Sequence, residues 1–184
     1  NYADDKDIIF RSDDGSGGVA TYFRLDGGQT RTEFEKATQH LDNVIANFGS
    51  SSDMQIFHNG TDSFIDNYTG SLTIRNRTDD GDIIFTCDDG SGGLATYFKL
   101  DGSSTNIQYF KNLLLADNIR AEFGNSGDLD IYHDGTDSYI ENNTGNLNIV
   151  NYNDDKDIIF KSDDGSGGVT EYFKVDGGDV KTIF

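Results

Sequence analysis

The 184-residue chain carries 33 acidic against 14 basic side chains, a formal charge of −19, which sets it against phosphate backbones and anionic membrane surfaces as partners. Its apolar residues are mostly Ile, Leu, Val and Phe with nine Tyr; Trp and Pro are absent and 22 Gly punctuate the sequence, a composition of short strands joined by Gly, Asn and Asp turns. The lone Cys87 allows neither an internal disulfide framework nor a thiolate metal site, and no apolar run approaches the roughly 18 residues of a membrane helix.

In chain order, Ile8 and Phe10 alternate as one face of a strand, the period-two pattern of a sheet with one covered side. The loop Asp13-Asp14-Gly15-Ser16-Gly17-Gly18 follows, then a second alternating pair, Phe23 with Leu25. Residues 31–41 are ambiguous, because Phe34, Ala37, Leu41, Val44, Ile45 and Phe48 fit a helical stripe. The later copy of this stretch alternates instead (Ile119, Ala121, Phe123), so 44–48 and 119–123 read as strands. Met54, Ile56 and His58 form the next face, followed by Ile65 and then by Leu72 with Ile74.

From there the text repeats. Ile83 with Phe85 and Phe98 with Leu100 restate the opening at an interval of 75 residues, and Ile158 with Phe160 and Phe173 with Val175 restate it again. Leu129, Ile131 and His133, then Ile140, then Leu147 with Ile149 restate the intervening part. Repeat 1 covers 1–75, repeat 2 covers 76–150, and 151–184 is a partial third; residues 1–34, matched by 151–184 without a gap, form the C-terminal part of a repeat unit cut in mid-phrase. The chain opens at Asn1 with no cleavable leader pattern and reads as an excerpt. About seven strands per repeat, each short, fit an all-β, repetitive, elongated architecture: a β-solenoid, or an intertwined trimeric β-helix or β-prism fibre. Two inward apolar side chains per strand contribute about 3–6 kcal/mol before entropy. Ordering so many loops costs comparably, which favours homotrimeric self-association.

The phrases DIIFRSDDGSGGVATYFRLDGG (7–28), LDNVIANFG (41–49) and DLDIYHDGTDSYIENNTGNLNI (128–149) resemble repeats of long tail-fibre-like structural proteins of marine bacteriophages, cyanophages and related contractile-tailed phages. The resemblance spans essentially the whole chain. It implies a virion fibre segment on an extracellular surface, working with other virion fibre or baseplate proteins in host attachment. It brings no active site.

Several motifs invite a chemical reading. The acidic loops, with Asp13 and Asp14, Asp88 and Asp89, Asp163 and Asp164, offer oxygen ligands to Ca²⁺, but they lack the calcium-loop spacing and serve equally as tight corners between strands. His58 and His133 end an inward face; three copies meeting on an axis would bring imidazoles together for a transition metal, whereas one His per repeat is also an ordinary hydrogen-bonded boundary residue. His40 has Leu115 as its equivalent and reads as surface. Tyr22, Tyr97 and Tyr172 lie opposite the Phe face and form a candidate ladder for a host surface glycan, or a packing surface. Recurrence of the same Asp in every unit argues against glycosidase chemistry, which needs two carboxyls with unequal affinities for a proton. No cofactor is expected, and the sequons at Asn59, Asn67, Asn76 and Asn142 read as turn residues.

Overall fold

The computed structural model describes residues 2–184. Its regular structure is entirely β, fifteen strands and no helix among the described residues. The strands make five separate three-stranded antiparallel sheets, each with its strands in sequence order. The chain divides into two units, Asn1–Thr78 and Asp79–Phe184.

The first unit carries β1 (Ile8–Asp13), β2 (Val19–Asp26) and β3 (Arg31–Phe34) as one sheet, and β4 (Ala46–Phe48), β5 (Met54–His58) and β6 (Ser63–Asn67) as the other. The second unit repeats them as β7 (Ile83–Asp88), β8 (Leu94–Asp101) and β9 (Asn106–Tyr109), then β10 (Ala121–Phe123), β11 (Leu129–His133) and β12 (Ser138–Asn142). It ends with β13 (Ile158–Asp163), β14 (Val169–Asp176) and β15 (Lys181–Ile183).

Register follows the apolar alternation. Ile8 pairs with Leu25 and Phe10 with Phe23, and Phe23 pairs on its other side with Phe34. Directly opposed residues share a face, so Ile8, Phe10, Phe23, Leu25 and Phe34 form one apolar side. The rings of Phe10 and Phe23 stack at 4.2 Å, and those of Phe23 and Phe34 lie 5.9 Å apart. The same ladder recurs as Phe85, Phe98 and Tyr109 and as Phe160, Phe173 and Phe184. Beyond Phe10 the register shifts, because Arg11 pairs with Thr21. Tyr22 is therefore the extra residue of a β-bulge, and β7–β8 and β13–β14 shift at the equivalent place.

The stretch 44–48, expected to be a strand, contains one at Ala46–Phe48; in the ambiguous stretch 31–41, Arg31–Phe34 is a strand, and the residues between the two strands carry no regular structure. Pairing of Phe34 with Phe23 supplies a ladder partner that helical periodicity within the segment does not. Each 75-residue repeat has six strands, not about seven. Leu72 with Ile74 and Leu147 with Ile149 alternate as strands do, yet belong to none, because among the described residues no neighbouring strand pairs with them. Among the described residues no closed barrel or solenoid coil forms, and within each unit no strand of one sheet packs on a strand of another.

Candidate functional site

Three classes of side-chain arrangement stand out, the first two in all three copies and the third in one, and each is built by the turns and ladders just described.

The first is the acidic corner between paired strands. The Asp14 Oδ1 atom accepts three hydrogen bonds, from Ser16 N–H at 2.8 Å, Ser16 Oγ at 2.8 Å and Gly18 N–H at 3.0 Å. Asp89 and Asp164 do the same toward Ser91 with Gly93 and Ser166 with Gly168. Asp13, Asp88 and Asp163 each accept from the glycine two residues on. Gly15 and Gly17 sit at φ of 82° and 90°, a region that costs residues bearing a Cβ. The hydroxyl of each serine is the leading cause that holds Asp14, Asp89 and Asp164 below the usual carboxylate range. One oxygen of each of these carboxylates is thus committed to its own loop. Among the described residues no three His, Cys, Asp or Glu side chains converge as a metal-ligand group.

The second is a clamp that sequence reading missed. Asp82 receives Gly102 N–H at 3.0 Å on one oxygen and the Lys99 ammonium at 2.9 Å on the other; Lys99 also pairs with Asp101 at 2.9 Å. Asp157, Gly177, Lys174 and Asp176 reproduce it. In the first copy Asp7 receives Gly27 N–H at 3.1 Å, while Arg24 pairs with Asp7 and, more closely, with Glu33. Hydrogen bonding from Lys99 holds Asp82 and Asp101 below their ordinary values, and hydrogen bonding to Asp82 raises Lys99. These charges lie on the sheet side away from the Phe ladder. The signal was present in the sequence as the Asp before each Ile-Ile pair and the cation inside Phe-Arg-Leu-Asp, Phe-Lys-Leu-Asp and Phe-Lys-Val-Asp.

The third is the charged side of β10–β12. Arg120 lies 2.9 Å from Asp130 and 2.8 Å from Glu141, with its guanidinium 3.7 Å above the Tyr132 ring. Tyr132 donates to Glu141 at 2.9 Å and Tyr139 to Asp134 at 3.1 Å, and the two rings stack at 4.8 Å. The first copy places Ile45, Gln55, Asp66, Phe57 and Phe64 at these positions, keeping the stacked ring pair at 4.9 Å without the ion network.

The sequence-predicted histidines occupy equivalent places. His58 Nδ1 lies 3.1 Å from Ser63 Oγ and His133 Nδ1 3.1 Å from Ser138 Oγ, each across a strand pair. His58 lines a shallow groove of about 510 Å³ with Ala46, Ile56, Ile65 and the exposed His40. Tyr22, Tyr97 and Tyr172 each donate the phenol to a backbone carbonyl, of Asp13, Asp88 and Asp163, at 2.9–3.0 Å. Among the sequons, Asn59 accepts from the N–H groups of Thr61 and Asp62, while Asn67 and Asn142 donate to carbonyls two and three residues on. All three close turns.

The apolar sides of the sheets are uncovered. Among the described residues no hydrophobic side chain is buried, and the only buried residues are Asp101 at 8 % and Asp130 at 6 % exposure. The chain exposes 14,837 Å², whereas a folded monomer of its 20.2 kDa mass exposes about 8,800 Å².

No family model matches the sequence, and neither a curated protein nor a solved structure does.

Proposed function

We propose that the chain is a non-enzymatic structural segment, the shaft of a phage tail fibre or similar virion fibre, whose 75-residue repeats supply length and stiffness for host attachment. The observation that carries this reading is that the described residues form fifteen strands and among them no apolar side chain is buried. Ordering a residue's backbone costs about 1–2 kcal/mol, and apolar burial is the main term that offsets it. A chain that leaves its ladders of Phe, Ile and Leu in water gains that term by assembling, and a homotrimer with the fibre's repeat is the assembly proposed.

Light scattering and sedimentation of the purified chain test the reading. A particle of three times the chain mass is expected; a monomer at all concentrations overturns it. A second reading, a carbohydrate- or calcium-binding adhesin repeat, draws on the exposed rings of Tyr22, Tyr97 and Tyr172. Retention on a glycan array, or a large loss of thermal stability in chelator, favours that reading.

A further inference from the structure

We propose that the apolar side of each β1–β3-type sheet is covered by the same side of further copies of this chain, aligned parallel and in register, with the ion-paired side of those sheets left facing water. The inference rests on the scaffold reading above and deepens it by naming the surface, its occupant and the register.

The two sides of each β1–β3-type sheet differ in what they still lack. In β7–β9 one side presents Ile83, Phe85, Phe98, Leu100 and Ile107 as a continuous apolar patch, fixed by direct cross-strand pairing. The other carries Lys99 between Asp82 and Asp101, already paired. Its apolar residues, such as Ile84 opposite Lys99 and Leu94 opposite Asp88, stand singly among charges, which is ordinary for a surface. A contiguous apolar patch repeated sheet after sheet is what calls for a cover.

The occupant follows from repetition. A partner must offer apolar patches of the same kind in the same order at intervals of 75 residues, and this chain supplies that series. The surplus of about 6,000 Å² over a folded monomer of this mass exceeds the 1,200–2,000 Å² of a standard pairwise interface. Each copy therefore has surface enough for two neighbours, which a closed ring of more than two copies provides and a two-fold pair does not. In such a ring all chains run the same way.

Register follows from what differs between repeats. The outer sheets carry Ser12, Thr32 and Phe34, and Ser162, Thr182 and Phe184, where the middle sheet carries Cys87, Ile107 and Tyr109. A slip by one repeat sets Ile107 against Thr and leaves terminal sheets of each copy bare, whereas the aligned arrangement covers all of them.

Thiol crosslinking of the full chain reads the register directly, because Cys87 is the only thiol and lies exposed on the apolar side by alternation with Ile83 and Phe85. With a short bis-maleimide, the natural chain and the single-thiol variants S12C/C87S and S162C/C87S are each expected to crosslink copy to copy. Co-expressed natural chain and S12C/C87S, tagged to differ in mass, are expected to give no mixed product. An antiparallel assembly crosslinks Cys87 but not S12C/C87S, and a slipped one gives the mixed product; either overturns the inference while an oligomer by light scattering keeps the scaffold reading. A monomer overturns both.

A matched pair of substitutions identifies the side independently of the crosslinker. Ile107 and Ile84 are exposed to similar extents, 58 % and 56 %, on opposite sides of one sheet. Ile107→Asp is expected to weaken association at least about tenfold, as loss of an interface anchor does, and Ile84→Asp to change it little. The reverse pattern, or equal effects, assigns the interface to the other side and overturns the inference.

Discussion

Gly102 shows how single positions hold this fold. A Cβ there would stand 2.5 Å from the carbonyl oxygen of Gly81 and 3.1 Å from the carbonyl carbon of Asp80, so the obstacle is backbone and not a movable side chain. Gly27 and Gly177 face the carbonyl of Lys6 and Lys156 in the same way. Gly102→Ala is expected to destabilise the folded chain by about 1–3 kcal/mol, in the range of other backbone-strain substitutions, seen as a lowered midpoint in thermal unfolding. The requirement is invisible in the sequence, where the Asp-Gly step reads only as a turn. The same holds for Thr30, Thr105 and Val180, which adopt φ of 51–54° although branched residues resist that region. By contrast, the role of Asp14 and its copies as corner-builders was legible, because Asp followed by Gly and Ser has few other uses in a chain without Pro. The histidines could be placed on a face from alternation alone, but their serine partners follow only from the five-residue hairpin register.

At the scale of the element, each acidic corner and each Asp–Lys clamp stabilises its hairpin through carboxylates held below their ordinary values. Because these groups bind protons more weakly when folded than when unfolded, their contribution is fully present above the ordinary carboxylate value and is lost as pH falls from there through their lowered folded values. Thermal stability is therefore expected to drop below about pH 4, the unperturbed Asp value. Asp89→Asn keeps the acceptor oxygen for Ser91 and Gly93 while removing the titration, so it should retain the hairpin at neutral pH and flatten part of the acid limb. Asp89→Ala, losing all three bonds, should lower the midpoint at every pH; unfolding scans between acid and neutral pH check both. The strands themselves were largely legible as period-two pairs. Leu72 with Ile74 and Leu147 with Ile149 are the exception: alternation encodes a strand's face, while a ladder also needs a neighbour, and none lies among the described residues. The third strand of the first Phe sheet was hidden for the opposite reason, since Arg31–Phe34 has only Phe34 as an apolar residue and owes its state to pairing with β2.

At the scale of the whole molecule, charge and apolar surface oppose each other. In the assembly proposed, copies bearing −19 each repel one another, and repulsion of this kind is screened as the Debye length falls from about 30 Å at 0.01 M salt to about 8 Å at 0.15 M. Association is expected to tighten over that interval, measured by sedimentation across a dilution series, because its attraction is apolar and survives salt. A complex held mainly by opposite charges would loosen instead. Repetition and β class were readable from the sequence because both are periodic. A thin core was expected from the two inward apolar side chains per strand, but not that among the described residues no apolar side chain is buried at all.

The clamps and corners have one more consequence. Every ladder, every Asp–Lys pair and every Asp-Ser corner closes within its own sheet, so a stretch of 75 residues brings along all the bonds its sheets require. Unequal recombination between such near-identical stretches can therefore add or drop a whole module without compensating changes elsewhere. Length becomes a quantity that a lineage can adjust in single steps, as quickly as its repeats misalign.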